Sequence, residues 1–135
     1  MQDSEFYQLV LEASHIETID RAEVATDAVL ETLGETLTAG EAEDVATQLP
    51  DELAGVIEDT DHDGSGYDRN AFVNRVGERL QNTDLEPNDA ERYADGVTDA
   101  LTATLTEGEL ENLKAQLDSE LDPLFEGVGV NAEQI

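Results

Sequence analysis

The apolar residues of this chain recur with the period of an α-helix. They stand three and four positions apart, first at Phe6, Leu9, Val10 and Ala13 and then at Ala22, Ala25, Val29, Leu33 and Leu37. Residues at this spacing lie on one face of a helix. No run alternates between apolar and polar residues over the length of a strand. The pattern therefore predicts an all-α protein.

Residues that cap helices mark where the predicted helices begin. Thr38 with Glu41 forms a Thr-x-x-Glu capping box, and Thr106 with Glu109 forms another. In this motif the threonine side chain accepts a hydrogen bond from the third residue, whose glutamate returns to the threonine amide. The same reasoning predicts N-caps at Asp20, Asn88 and Asp118 and a proline in the first turn of a helix at Pro50.

An internal repeat divides the chain. Residues 21–58 align with residues 89–126 without a gap, and 16 of these 38 positions are identical. We expect a first helical repeat at 1–58, an acidic glycine-containing loop at 59–70, a second repeat at 71–126 and a tail at 127–135. A domain of about 60 residues buries little surface by itself. The prediction is therefore one pseudo-twofold helical bundle built from a duplicated four-helix unit.

Short motifs within the repeat resemble a known family. The first half contains, in order, Val29-x-x-x-Leu33, Leu37-Thr-Ala-Gly-Glu41, Gln48-Leu-Pro-Asp-Glu-Leu53 and Val56-Ile57. This order resembles the family called domain of unknown function 2267, in a halophilic-archaeal version. The second half departs from it, with Asp118 where the first half has Pro50. The resemblance implies an all-helical repeat fold and supplies no catalytic or binding residues.

The charge of the chain excludes whole classes of partner. Asp and Glu number 34 against 6 Lys and Arg, for a net charge of −28. Such a surface does not neutralise phosphates, so we expect neither nucleic-acid nor anionic-membrane binding. Molar salt would screen the self-repulsion, which favours adaptation to high salt. The alternative is an acidic surface that mimics nucleic acid or binds a basic partner. With no long apolar run and no basic leader, we expect a cytoplasmic protein.

The loop at 59–70 resembles a calcium-binding loop. Three aspartates followed by Gly64 match positions 1, 3, 5 and 6 of an EF-hand, in which oxygens converge on the ion around a sharp turn. The expected ligands of Ca²⁺ or Mg²⁺ are Asp59, Asp61, Asp63 and Ser65. Gly66 and Asn70, however, replace the usual aliphatic residue and bidentate glutamate. The alternative interpretation is a solvated linker between the repeats.

The chain offers little else that carries chemistry. It has no cysteine, and His15 and His62 do not stand at a metal-ligand spacing. No nucleophile elbow or phosphate-binding loop is present, so we expect neither an enzyme nor a resident cofactor. Arg75 and Arg79 stand four residues apart. We expect them to pair locally with Glu78, Asp84 or Glu86; the alternatives are an anchor for an acidic ligand or a self-contact.

These observations favour a protein-interaction module, whose partner is an unknown protein or a second copy of the chain. This hypothesis predicts an exposed apolar patch near Tyr7, Leu11, Val24 and Tyr93. The alternative is a weak divalent-cation-binding protein that uses the 59–70 loop.

Overall fold

The computed structural model describes residues 3–59, 66–117 and 120–121. Within these residues the chain forms seven α-helices and no strand, which confirms the all-α prediction. The helices are α1 (Asp3–Ser14), α2 (Ile19–Thr36), α3 (Ala39–Ala46), α4 (Asp51–Glu58), α5 (Arg69–Leu80), α6 (Ala90–Thr104) and α7 (Glu107–Ala115), with a short 3-10 helix at Pro87–Asp89 before α6. Helix α5 begins two residues before the predicted start of the second repeat.

The helices of the two halves are interleaved. Helix α1 packs most extensively on α6, while α2 packs on α4, α5 and α6, and α3 contacts α4 and α7. The predicted apolar stripe of α2 is fully buried in the resulting core, as are Ala94, Val97 and Leu101 on α6. Because α1 and α2 both lie against helices of the second half, the described residues share one core.

Helices α1 and α6 approach each other closely at Ser14 and Gly96. The side chain of Ser14 is fully buried, and its Oγ donates a hydrogen bond to the Arg92 carbonyl at 3.4 Å. Gly96 faces Ser14 so closely that a Cβ at this position would overlap the serine hydroxyl. A side chain at position 96 would therefore force α1 and α6 apart.

The turn after α1 is a Schellman motif. His15 has φ of 56°, and the Ile16 amide donates to the Leu11 carbonyl at 3.0 Å. This pattern satisfies a carbonyl that the helix leaves without a partner, and it requires a left-handed residue at the position of His15. Asn82, shortly after α5, has φ of 69°. Both positions thus use a polar residue in a conformation that favours glycine.

Several predicted caps are wrong. The N-cap of α2 is Thr18, which accepts from the Arg21 amide at 3.2 Å, rather than Asp20. Asn88 lies within the 3-10 helix, and α6 follows with no side-chain cap. Pro50 occupies the N-cap position of α4 itself, one residue before the helix. Thr18 thus takes the place of the predicted cap Asp20, and the 3-10 helix takes up the predicted cap Asn88. The predicted cap Asp118 lies outside the described residues.

The predicted apolar patch is also wrong. Tyr7 and Tyr93 are buried in the core, and Leu11 and Val24 are half-buried against it. Among the described residues Ile19 is the one exposed large apolar side chain. The interleaved packing explains the difference, because α1, α2 and α6 each pack against helices of both halves. No helix in the described part of the chain has the length and hydrophobicity needed to cross a membrane.

Candidate functional site

A charged cleft lies between α2, α4 and α5. Its volume is about 440 Å³, within the range of ligand pockets. The residues that line it are Asp27, Glu31, Glu35, Val56, Asp59, Arg75 and Arg79. On α2 the three acidic residues stand four positions apart, as do the two arginines on α5, so each set lies on one helix face. Packing of α2 on α5 brings these faces together.

Glu35 is the centre of an ion-pair network across the cleft. Its side chain is only 10% exposed. Arg75 donates from Nε and from a terminal nitrogen to the two carboxylate oxygens, each at 3.2 Å. Arg79 donates to Glu35 Oε1 at 2.8 Å and to the Thr32 hydroxyl at 3.2 Å. The Tyr67 hydroxyl donates to the same Oε1 at 3.3 Å.

These hydrogen bonds determine the ionisation of Glu35. Burial by itself would raise the pKa of this carboxyl, but the hydrogen bonds and charges of Arg79 and Arg75 outweigh burial and lower the pKa to about 2. A carboxylate with two guanidinium donors is a strong, geometrically defined pair. Because Glu35 belongs to the first repeat and both arginines to the second, the network joins the two halves of the chain.

Asp27 lies in the same cleft in a different environment. Its side chain is half-buried, and burial together with the charges of Glu23, Glu31 and Glu52 raises its pKa to about 6. Within the described part of the chain no arginine, lysine or histidine pairs with it. Of the carboxylates in the cleft, Glu35 is therefore compensated by two arginines, whereas Asp27 is not.

The structure covers the predicted cation ligands only in part. Asp59 is exposed and lines the cleft, while Asp61, Asp63 and Ser65 lie outside the described residues. The described residues contain no group of three or more acidic or histidine side chains arranged to hold a metal ion. His15 lines a separate cavity of about 180 Å³ beside α1; His62 lies outside the described residues.

The arginine pairing departs from the local expectation. Arg75 does bind Glu78 at 3.2 Å, but both arginines use the distant Glu35 as their main partner, and Arg79 approaches Glu31 at 3.8 Å. The expected partners Asp84 and Glu86 form no ion pair with either arginine within the residues that the structure describes. The sequence does contain a signal for this network, since Glu31 and Glu35 have the same four-residue spacing as Arg75 and Arg79.

A second polar cluster lies where α3 meets α7. Each helix is capped by its own threonine, because Thr38 accepts from the Glu41 amide and Thr106 accepts from the Glu109 amide, both at 3.3 Å. The capping boxes predict that each glutamate side chain accepts a hydrogen bond from the backbone amide of its threonine, and this prediction is wrong. Instead, each threonine backbone amide donates a hydrogen bond to the side-chain oxygen of a glutamine in the opposite half. Thr38 reaches Gln116 at 3.2 Å and Thr106 reaches Gln48 at 2.9 Å.

The glutamates released from the capping boxes face each other. Glu41 is 6% exposed, and the Oε2 atoms of Glu41 and Glu109 are both buried without a hydrogen-bond donor. Burial, then a hydrogen bond to Glu109 and the charges of Glu109 and Asp44, raise the pKa of Glu41 well above its usual range. We refer to Glu41 and Glu109 as the carboxyl pair.

Comparison with known proteins places the chain in a family without assigning it an activity. The family model described as an uncharacterised conserved protein matches residues 3–124. No functionally curated protein matches the chain.

Proposed function

The chain belongs to the family of uncharacterised conserved proteins called domain of unknown function 2267, and we propose that it is a protein-interaction module. Its cleft would hold a basic side chain of the partner protein. The observation that carries this proposal is Asp27. A half-buried carboxylate among other carboxylates is destabilised, and a lysine or arginine side chain would compensate it.

The opposite wall of the cleft supports the same ligand. Arg75 and Arg79 are engaged by Glu35, so they are not available to an acidic ligand unless that network breaks. The cleft volume of about 440 Å³ accommodates one long side chain, whose methylene groups would pack on Val56. In molar salt, long-range attraction is screened, and a contact inside a half-buried cleft then contributes more to recognition than surface charge does.

A peptide titration tests this proposal. Isotope-labelled protein in about 2 M KCl is titrated with a short arginine-containing peptide and, separately, with the same peptide carrying glutamate. We expect saturable amide shifts around the cleft with the first peptide only. Asp27→Asn should weaken binding at least about tenfold, while Asp20→Asn, an equal charge change at an exposed position of α2, should not. Shifts that do not saturate, or equal effects of the two variants, would contradict the proposal.

We also propose that the two repeats are related by a pseudo-twofold axis. Two observations support it. The contact of α1 with α6 is matched by that of α5 with α2, and the hydrogen bond from Thr38 to Gln116 is matched by that from Thr106 to Gln48. The members of each matched residue pair are 68 positions apart, which is the offset of the sequence repeat. The predicted fourth helix of the second repeat lies mainly outside the described residues.

The proposed setting is the cytoplasm of a halophile. The charge of −28 and the presence of a single lysine support it, since molar salt screens the repulsion of such a surface. The proposal includes no catalytic activity and no resident cofactor. Self-association remains an alternative to a different partner; a strictly monomeric species in a size measurement at high salt would remove it.

A second candidate function is weak Ca²⁺ or Mg²⁺ binding by the 59–70 loop. The position of Asp59 favours it, because this first predicted ligand lines the cleft close to other carboxylates. Calcium, then magnesium, is titrated into labelled protein in about 2 M KCl, which suppresses nonspecific attraction to the acidic surface. Saturable shifts confined to the loop, lost in the Asp61→Asn, Asp63→Asn double variant, would support this function. Small shifts scattered over the chain would contradict it.

A further inference from the structure

We propose that the carboxyl pair is a pH-dependent contact between the two halves of the chain: one proton shared by Glu41 and Glu109 holds α3 against α7, and loss of that proton separates them. This inference does not depend on the cleft or on its ligand. It assigns a role to two carboxyl groups, each with one buried oxygen, that the proposed interaction module does not use.

The geometry requires a proton. An ionised carboxylate only accepts hydrogen bonds, and the Oε2 atoms of Glu41 and Glu109 are both buried without a donor. Two buried acceptors that face each other are costly unless one of them becomes a donor. A single proton between the two oxygens satisfies both, and it leaves one negative charge where there would otherwise be two.

The surroundings strengthen this requirement. The charges that act on Glu41 are those of Glu109 on α7 and Asp44 on its own helix, and all are negative. Helix α4, which also packs on α3, contributes no charge that shifts it. No arginine or lysine in the described structure forms an ion pair with either member of the carboxyl pair. Their neighbours Gln48 and Gln116 are neutral, so the contact carries no compensating cation.

The direction of the pH dependence follows from these charges. Burial and like charges raise the pKa of Glu41, so the shared proton stabilises the folded state fully at pH values below the ordinary carboxyl range. That contribution is lost as the pH rises through the raised value. Ionisation then places two negative charges together in a poorly solvated contact. We expect α3 and α7 to separate, which removes the glutamine acceptors from the amides of Thr38 and Thr106.

Amide hydrogen exchange of Thr38 and Thr106 tests the inference. Exchange rates are measured by NMR from about pH 5 to about pH 9 in about 2 M KCl and corrected for the intrinsic rate. Between the ordinary carboxyl range and the raised pKa of the pair, opening releases one proton, so protection should fall by up to about tenfold per pH unit in this window and level off above it. Glu41→Gln supplies a permanent donor and should make protection independent of pH. Glu43→Gln, an equal charge change at an exposed position of α3, should behave like the unaltered protein.

Three results would overturn the inference. They are protection that does not change with pH in the unaltered protein, protection in the Glu41→Gln variant that falls with pH as it does in the unaltered protein, and equal effects of the two variants. If Glu41→Gln does not fold, the carboxyl carbon shifts of the unaltered protein decide the question. One member of the carboxyl pair should titrate far above about pH 5; titration of both within the ordinary range near pH 4 would contradict the proposal.

Discussion

Replacing Glu35 with glutamine tests whether the ion-pair network of the cleft stabilises the fold. The substitution keeps the shape of the side chain but removes the charge that Arg75 and Arg79 share. Two guanidinium groups then face a neutral amide in a partly buried contact. Because removal of one partner leaves the remaining charges uncompensated, we expect a clear loss of stability.

The magnitude follows from the ionisation of Glu35. Its pKa is about 2, against 4.5 for an ordinary glutamate, and this difference corresponds to about 3 kcal/mol at neutral pH. The Arg75 side chain is 39% exposed, so solvent reduces its share, and we expect a loss of about 2–3 kcal/mol. Since the pKa is lowered, this contribution is complete above about pH 4.5 and disappears as the pH falls through about 2.

Urea unfolding at about 2 M KCl measures this loss. The matched control is Glu78→Gln, which removes the same charge from another partner of Arg75, but at a side chain that is 61% exposed. We expect the control to cost at most about 1 kcal/mol. Equal losses in the two variants at neutral pH, or a Glu35→Gln loss that persists unchanged near pH 2, would refute the reasoning.

Further expectations concern backbone and salt. Gly96→Ala should destabilise the protein by about 1–3 kcal/mol, because the added Cβ overlaps Ser14. Gly55→Ala should stabilise it by up to about 1 kcal/mol, because the added Cβ meets nothing within 4 Å. Urea unfolding should therefore give changes of opposite sign for the two variants. His15→Gly relieves the left-handed backbone, and because the His15 side chain is exposed the variant should be more stable by roughly 0.5–1 kcal/mol in urea unfolding. Thermal stability should rise steeply from about 0.1 M to about 2 M KCl, and unchanged melting would contradict adaptation to salt.

The helices could be predicted because their signal is local. The apolar stripe from Ala22 to Leu37 is buried as its spacing predicts, since a three-and-four-residue pattern specifies a helix face without reference to the rest of the chain. The helix ends were harder to predict. Thr18 caps α2 although Asp20 is an equally good capping residue, because neighbouring candidates differ only by the geometry of one turn.

The polar clusters could not be predicted, because their partners are distant in the sequence. Glu35 is one of 34 acidic residues, and composition does not distinguish the one that two arginines approach. Glu41 and Glu109 fit a local capping motif, but glutamines from the opposite halves take over the threonine amides. In each case a contact between halves replaces the local interaction. The shared four-residue spacing of the glutamates and arginines is a signal for one network, but it does not say which helix faces meet.

The central claim is that Asp27 receives a cation in the cleft, and the pH dependence of peptide affinity tests it most directly. A cation binds the ionised carboxylate, whose pKa in the free protein is about 6. The dissociation constant of the arginine-containing peptide should therefore rise about tenfold between about pH 7 and about pH 5. The Asp27→Asn variant should bind weakly at both pH values. Affinity of the unaltered protein that is the same at both would contradict the account.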